Sequence, residues 1–86
     1  MPCSALQRGV DTKLLEDLAA LAQTGSLSRA AGLRHVTHPA FGRRIKQLEA
    51  WAGAALIERG RVPVALTAAG RKLLDEAQPL LQGLTR

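Results

Sequence analysis

With 86 residues, 12 of them Lys or Arg against 7 Asp or Glu, the chain carries a formal charge of +5 and is long enough for one small domain. Its hydrophobic share is mostly Ala and Leu, with Phe41 and Trp51 the only aromatics and no Tyr, which argues against a β-sandwich and for packed helices. The lone Cys3 excludes an internal disulfide. No Cys/His spacing suits a metal, no apolar run reaches the roughly 18–20 residues of a membrane span, and no signal-peptide core opens the chain, which together fit the cytoplasm.

Residues 1–10 show no period and read as a flexible arm. Asp11-Thr12 offers a helix cap, followed by Leu14, Leu15, Leu18, Leu21 and Ala22 at helical spacing, with Glu16 and Asp17 placed to favour the positive end of the helix dipole. Gly25 ends this helix. Ser26 and Ser28 are cap candidates for a short second helix whose small residues, Ala30, Ala31 and Gly32, allow close approach. After the tight connection Arg34-His35-Val36, Thr37 starts a third helix, and Pro39 is tolerated in its first turn because the missing N–H has no partner there. Phe41, Ile45, Leu48 and Ala52 form one apolar face. Pro39, Gly42, Arg43 and Lys46 fall mostly opposite it, and Gly53 stops the helix.

Residues 55–58 and 64–66 read as two short strands joined by a loop over 59–63, with Pro63 marking an edge ribbon. Thr67 caps a last helix in which Ala69, Leu73, Ala77 and Leu80 recur with Leu74, Leu81 and Leu84, and Pro79 is expected to kink or stop it.

Charge is distributed unevenly. No acid lies between Leu18 and Leu48, whereas Arg29, Arg34, Arg43, Arg44 and Lys46 all do. Such a block suits either a polyanion partner or a solvated basic face. Two helices joined by a very short turn, the second beginning Thr37-His38-Pro39, point to the former. The second helix of such a pair can enter a major groove about 12 Å wide. The order helix, helix, helix, hairpin, helix is that of a winged helix-turn-helix.

At these residues the chain resembles the LysR-type transcriptional regulators, from about Leu14 to Leu81. The resemblance rests on Gly25-Ser26-Leu27-Ser28-Arg29-Ala30-Ala31, Val36-Thr37-His38-Pro39-Ala40-Phe41, Arg43-Arg44-Ile45, Leu48-Glu49 and Gly53. It continues through Leu56-Ile57-Glu58-Arg59, Val64, Leu66-Thr67 and Ala69-Gly70. It implies that Ser28 and Thr37 hold phosphate, that the position of His38 reads base edges, that Pro39 packs against bases, and that Arg43 contacts backbone or base. A basic wing residue would reach a neighbouring minor groove. The chain departs from the family at His38, where Gln is usual, at Gly42, where Ser is usual, and at Val62, often basic, which leaves Arg59 or Arg61 for the wing contact. A neutral imidazole cannot make the bidentate pair that Gln makes with adenine. The resemblance also implies a larger effector-sensing domain after the last helix, which these 86 residues are not expected to contain.

Rival classes have less support. No Ser/His/Asp set, paired carboxylates or phosphate loop suggests an enzyme, and His35 and His38 have no Cys or close carboxylate beside them. A purely protein-binding module leaves the acid-free block unexplained, and a single-stranded RNA reader would display stacking aromatics. Phe41, Ile45 and Leu48 are expected in the core, Trp51 at the domain edge, and Arg44 in an intramolecular or phosphate contact.

The expected architecture is therefore mostly α. Residues 1–10 form an arm, 11–66 a winged helix-turn-helix with a three-helix core and a two-stranded wing, and 67–86 a long linker or dimerisation helix. A recognition helix over about 37–52 would enter the major groove of double-stranded DNA, with the wing over about 55–66 near the minor groove. DNA contacts are expected from Ser28, Thr37, His38, Pro39, Gly42, Arg43, Lys46, Arg59 and Arg61. A homodimer through Leu73, Leu74, Ala77, Leu80 and Leu81 would read a two-fold symmetric operator without cofactor, metal or membrane.

Overall fold

Helix α1 spans Thr12–Thr24 and is packed on two sides, by α2 (Leu27–Leu33) and α3 (His38–Ala52) and by α4 (Ala68–Leu84). The computed structural model describes residues 12–60 and 62–84, with side-chain exposure through Pro79. The arm over 1–10, the cap at Asp11 and Arg61 lie outside these residues. Because α1 has neighbours on both sides, its buried arc is wide: Leu14, Leu15, Leu18, Leu21 and also Ala20 are buried, while Ala22, expected inside, is exposed.

The helix boundaries follow local chemistry. Gly25 adopts φ +68°, and its N–H donates to the Leu21 carbonyl at 2.8 Å, closing α1. Ser26 is the N-cap of α2, its hydroxyl accepting from the Arg29 N–H at 3.2 Å. Between α2 and α3 the chain turns through His35 at φ +60°, a left-handed conformation that His tolerates better than most side chains. Thr37 caps α3 by accepting from the Ala40 N–H at 3.3 Å, and Gly53, at φ +75°, ends it.

The wing is an antiparallel pair, β1 (Ile57–Glu58) and β2 (Ala65–Leu66), in the register Ile57 to Leu66 and Glu58 to Ala65. Both strands are shorter than the sequence suggests, because the backbone groups that would extend the ladder are bonded elsewhere. The Leu56 N–H donates to Glu49 Oε2 at 2.8 Å, the Ala55 carbonyl accepts from Thr67 Oγ1 at 2.6 Å, and the Val64 N–H donates to the Gly25 carbonyl at 2.8 Å. These bonds fasten the wing to the helical core.

Of the two outcomes expected at Pro79, a kink or a stop, the stop does not occur: α4 continues to Leu84 with Pro79 inside it, where it removes the bond to the carbonyl four residues earlier. Its inward face is Gly70, Leu73 and Ala77, whereas Ala69 is exposed. Leu73 and Ala77 therefore belong to the domain's own core rather than to an exposed interface. That core also contains Phe41, Ile45, Leu48, Leu56 and Ile57, with Trp51 half-buried at its edge.

Candidate nucleic-acid interface

Burying Phe41, Ile45 and Leu48 against α1 and α2 fixes the rotation of α3 and turns the opposite arc outward. On that arc His38, Pro39, Arg43 and Lys46 are exposed and Gly42 is half-buried. Nothing lies within 4 Å of where a Gly42 Cβ would be, so that position leaves an open surface rather than a close backbone approach. Arg43 and Lys46 take part in no ion pair among the described residues, so their charges face solvent.

Two short hydroxyl side chains flank this arc. Thr37, exposed at the start of α3, accepts from the Ala40 N–H and keeps its own hydrogen for an outside acceptor. Ser28, on α2, is not a cap. Its Oγ lies 3.2 Å from His38 Nδ1, bringing the two helices of the turn together at one exposed point.

The acid-free block of the sequence is not acid-free in space. Asp17, fully buried on α1, accepts from Arg34 Nε at 2.8 Å and from Arg44 Nε at 2.7 Å, and Arg34 also reaches Glu16 at 2.9 Å. Asp17 therefore does not serve the helix dipole. It neutralises two of the five cations of the block, which leaves Arg29, Arg43 and Lys46 as the exposed ones. Burial alone would lower the Arg34 pKa, but its hydrogen bond to Asp17 and the charges of Asp17 and Glu16 outweigh that and hold it above the ordinary value. Arg44 is thus an intramolecular partner that ties α3 to α1. Sequence reasoning missed Asp17, although a helical wheel carries the signal: at 100° per residue it falls on the same arc as Leu14, Leu18 and Leu21.

Glu49 was also missed as a functional support. Its carboxylate accepts from the Leu56 N–H at 2.8 Å, the Ile57 N–H at 3.4 Å and Arg59 Nη2 at 3.0 Å, which clamps the wing to the end of α3. Arg59, expected with Arg61 as a candidate for the wing contact, is held in this pair and remains exposed. Glu49→Ala should cost about 1–3 kcal/mol through the unpaired amides it leaves. Hydrogen exchange at the Leu56 amide should quicken before that of the α1 core, and equal acceleration at both sites would contradict the clamp. Between α3 and the wing lies an open cavity of about 370 Å³ with Ile45, Ile57 and Val64 on its walls and Lys46 and Arg59 at its edge. Val62, near the wing tip, is 94% exposed.

Of the expected contact residues, Ser28, Thr37, His38, Pro39, Arg43 and Lys46 are exposed on the α2–α3 unit and Arg59 on the wing, while Arg61 lies outside the described residues. Among the expected dimer residues, Leu73 and Ala77 are buried within the chain, Leu74 is half-buried, and the side chains of Leu80 and Leu81 lie outside the described residues. No helix among the described residues is long and apolar enough to cross a membrane.

Residues 12–71 match the family of bacterial regulatory helix-turn-helix proteins of the lysR type. The chain is 37% identical over 82 residues to the HTH-type transcriptional regulator YjiE of Escherichia coli, covering 95% of this chain and 27% of that protein. It is similar to the crystal structure of Vibrio fischeri DarR in complex with DNA, with a TM-score of 0.84 and 42% identity over 90% of this chain and 26% of that one. It also resembles the BenM DNA-binding domain in complex with its benA site 1 DNA, with a TM-score of 0.83 and 29% identity over 88% of this chain and 85% of that one. The chain thus spans about a quarter of the length of its full-length relatives.

Proposed function

Because the chain belongs to the LysR family of bacterial regulatory helix-turn-helix proteins, a non-enzymatic family, we propose that it binds double-stranded DNA sequence-specifically as the DNA-reading part of a transcriptional regulator. The observation that carries this is the outward arc of α3. His38, Pro39, Arg43 and Lys46 lie exposed on one helix, with Arg43 and Lys46 in no ion pair among the described residues, beside a wing fastened to the same core. The DNA complexes of DarR and BenM give it further support.

In this reading α3 lies in the major groove and the wing near the minor groove. Ser28, Thr37, Arg43 and Lys46 engage phosphates or the groove edge, His38 and Pro39 meet the bases, and Arg59 with Arg61 serves the wing contact. Gly42 leaves room for the helix to seat closely. The C-terminal segment, residues 67–86, acts as linker and dimer contact, served by Leu74, Leu80 and Leu81, since Leu73 and Ala77 are buried within the chain. The homodimer reads a two-fold symmetric site in the bacterial cytoplasm.

The test is selection from a randomised duplex pool at two salt concentrations. A two-fold symmetric motif, with log K falling by about 0.9 per neutralised phosphate per decade of salt, is the expected result. Arg43→Ala should weaken binding to every sequence by roughly tenfold and reduce the salt slope by about 0.9. His38→Ala should instead relax preference at one base pair of each half-site. Retention of unselected DNA would contradict the sequence-specific reading, and no retention at all would contradict DNA binding.

A further inference from the structure

The contact between Ser28 Oγ and His38 Nδ1, 3.2 Å across the helix-turn-helix, couples the hydroxyl proposed above to engage phosphate to the ring proposed to meet the bases. Each partner has a single hydrogen to place. A neutral imidazole carries its proton on one nitrogen only, and a hydroxyl has one O–H to donate. Two arrangements satisfy the contact. In one, the Ser28 hydroxyl donates to Nδ1 and the ring proton sits on Nε2. In the other, Nδ1–H donates to Oγ, and Nε2 carries a bare lone pair.

DNA distinguishes between them. Phosphate oxygens are acceptors, so a Ser28 that engages phosphate must donate its only hydrogen there. Its Oγ can then only accept from His38, which places the ring proton on Nδ1 and leaves Nε2 an acceptor. In the major groove an acceptor is complementary to the exocyclic amino groups of adenine and cytosine, and mismatched to guanine O6 and N7 or thymine O4. A Gln amide at the same position presents a donor and an acceptor together and needs no such arrangement.

We infer that Ser28 is a specificity-determining residue: by holding phosphate it fixes the tautomer of His38, so that Nε2 selects an amino-bearing base. This rests on the base-reading role proposed above for His38 and adds the polarity of that reading and the residue that sets it. Both side chains are exposed, which suits a ring that meets a base edge.

The experiment is selection from the randomised duplex pool at pH 8 with the 86-residue chain and its Ser28→Ala, Ser28→Thr and His38→Ala variants. The position read by His38 is the one at which His38→Ala loses preference. The unaltered chain and Ser28→Thr should favour adenine or cytosine there by about tenfold. Ser28→Ala should bind all sequences more weakly and lose most of that preference while the other positions keep theirs. Nitrogen-15 spectra of the His38 ring in the DNA complex should show the proton on Nδ1, and on Nε2 once Ser28 is replaced by Ala. Uniform weakening by Ser28→Ala with the adenine or cytosine preference intact overturns the inference and leaves the base-reading role standing. So does guanine or thymine selection by the unaltered chain. A His38→Ala variant with unchanged preference at every position overturns both.

Discussion

Asp17→Ala is expected to destabilise the domain by about 3 kcal/mol, at the lower end of the range for breaking a buried ion pair. The carboxylate is fully buried and accepts from two guanidinium groups on different elements, Arg34 after α2 and Arg44 within α3. Removing it leaves two positive charges facing each other across the space it occupied. Their side chains are only about a quarter exposed, 25% for Arg34 and 26% for Arg44, so water compensates in part, and Arg34 keeps Glu16. A domain of this size has total stability on the order of 5–10 kcal/mol, so the loss should lower Tm by roughly 10–20 °C. Thermal and urea unfolding of the variant measure it directly. A loss under about 1 kcal/mol would show that the cluster behaves as surface ion pairs do. The triple change Asp17→Leu, Arg34→Met and Arg44→Met should recover most of the stability, because it removes the charges together rather than stranding two of them.

Gly70→Ala should cost about 2–3 kcal/mol even though alanine is the better helix former. A Cβ at Gly70 would run into the Leu56 carbonyl oxygen and lie 3.2 Å from Leu56 Cα, both backbone atoms that cannot rotate aside. That same carbonyl accepts the Thr67 N–H at 3.0 Å, so displacing it also strains the junction of the wing with α4. Gly42→Ala is the internal control. It is also a glycine within a helix, but nothing lies within 4 Å of its added Cβ, so it should stabilise by up to about 1 kcal/mol. Opposite signs in paired thermal melts are the expected result. Equal gains would mean that the wing moves away from α4 without cost.

Both variants turn on features of different legibility. The caps were readable because capping is local chemistry. Ser26 and Thr37 each bond an N–H three residues on, and Gly25 and Gly53 take the left-handed conformation that ends a helix. The apolar face of α3, and by subtraction its outward arc with His38, Pro39, Arg43 and Lys46, followed from helical period alone. The order of helices and hairpin took caps, breakers and Pro63 as well, and the resemblance that pointed to the family rested on the residue motifs themselves.

What the sequence could not decide were the pairings set by how the elements cross. Arg34 and Arg44 read as part of one basic block, yet they converge on Asp17 across 17 and 27 residues because α1 packs against both helices of the turn. Arg59 read as a candidate for the wing contact with no sign of a partner within the chain, and the wing folds back to pair it with Glu49 near the end of α3. Leu73 and Ala77 read as a dimer surface because a last helix has no sequence-local partner, whereas the return of α4 across α1 buries them at home. Period and capping depend on neighbours within about four residues along the chain, so the sequence by itself determined where α1 ends, where α2 and α3 begin, where α3 ends and which side of α3 is apolar. Which charges meet, and which apolar side chains are left over, depends on contacts between distant segments, and only the packed tertiary structure decided those.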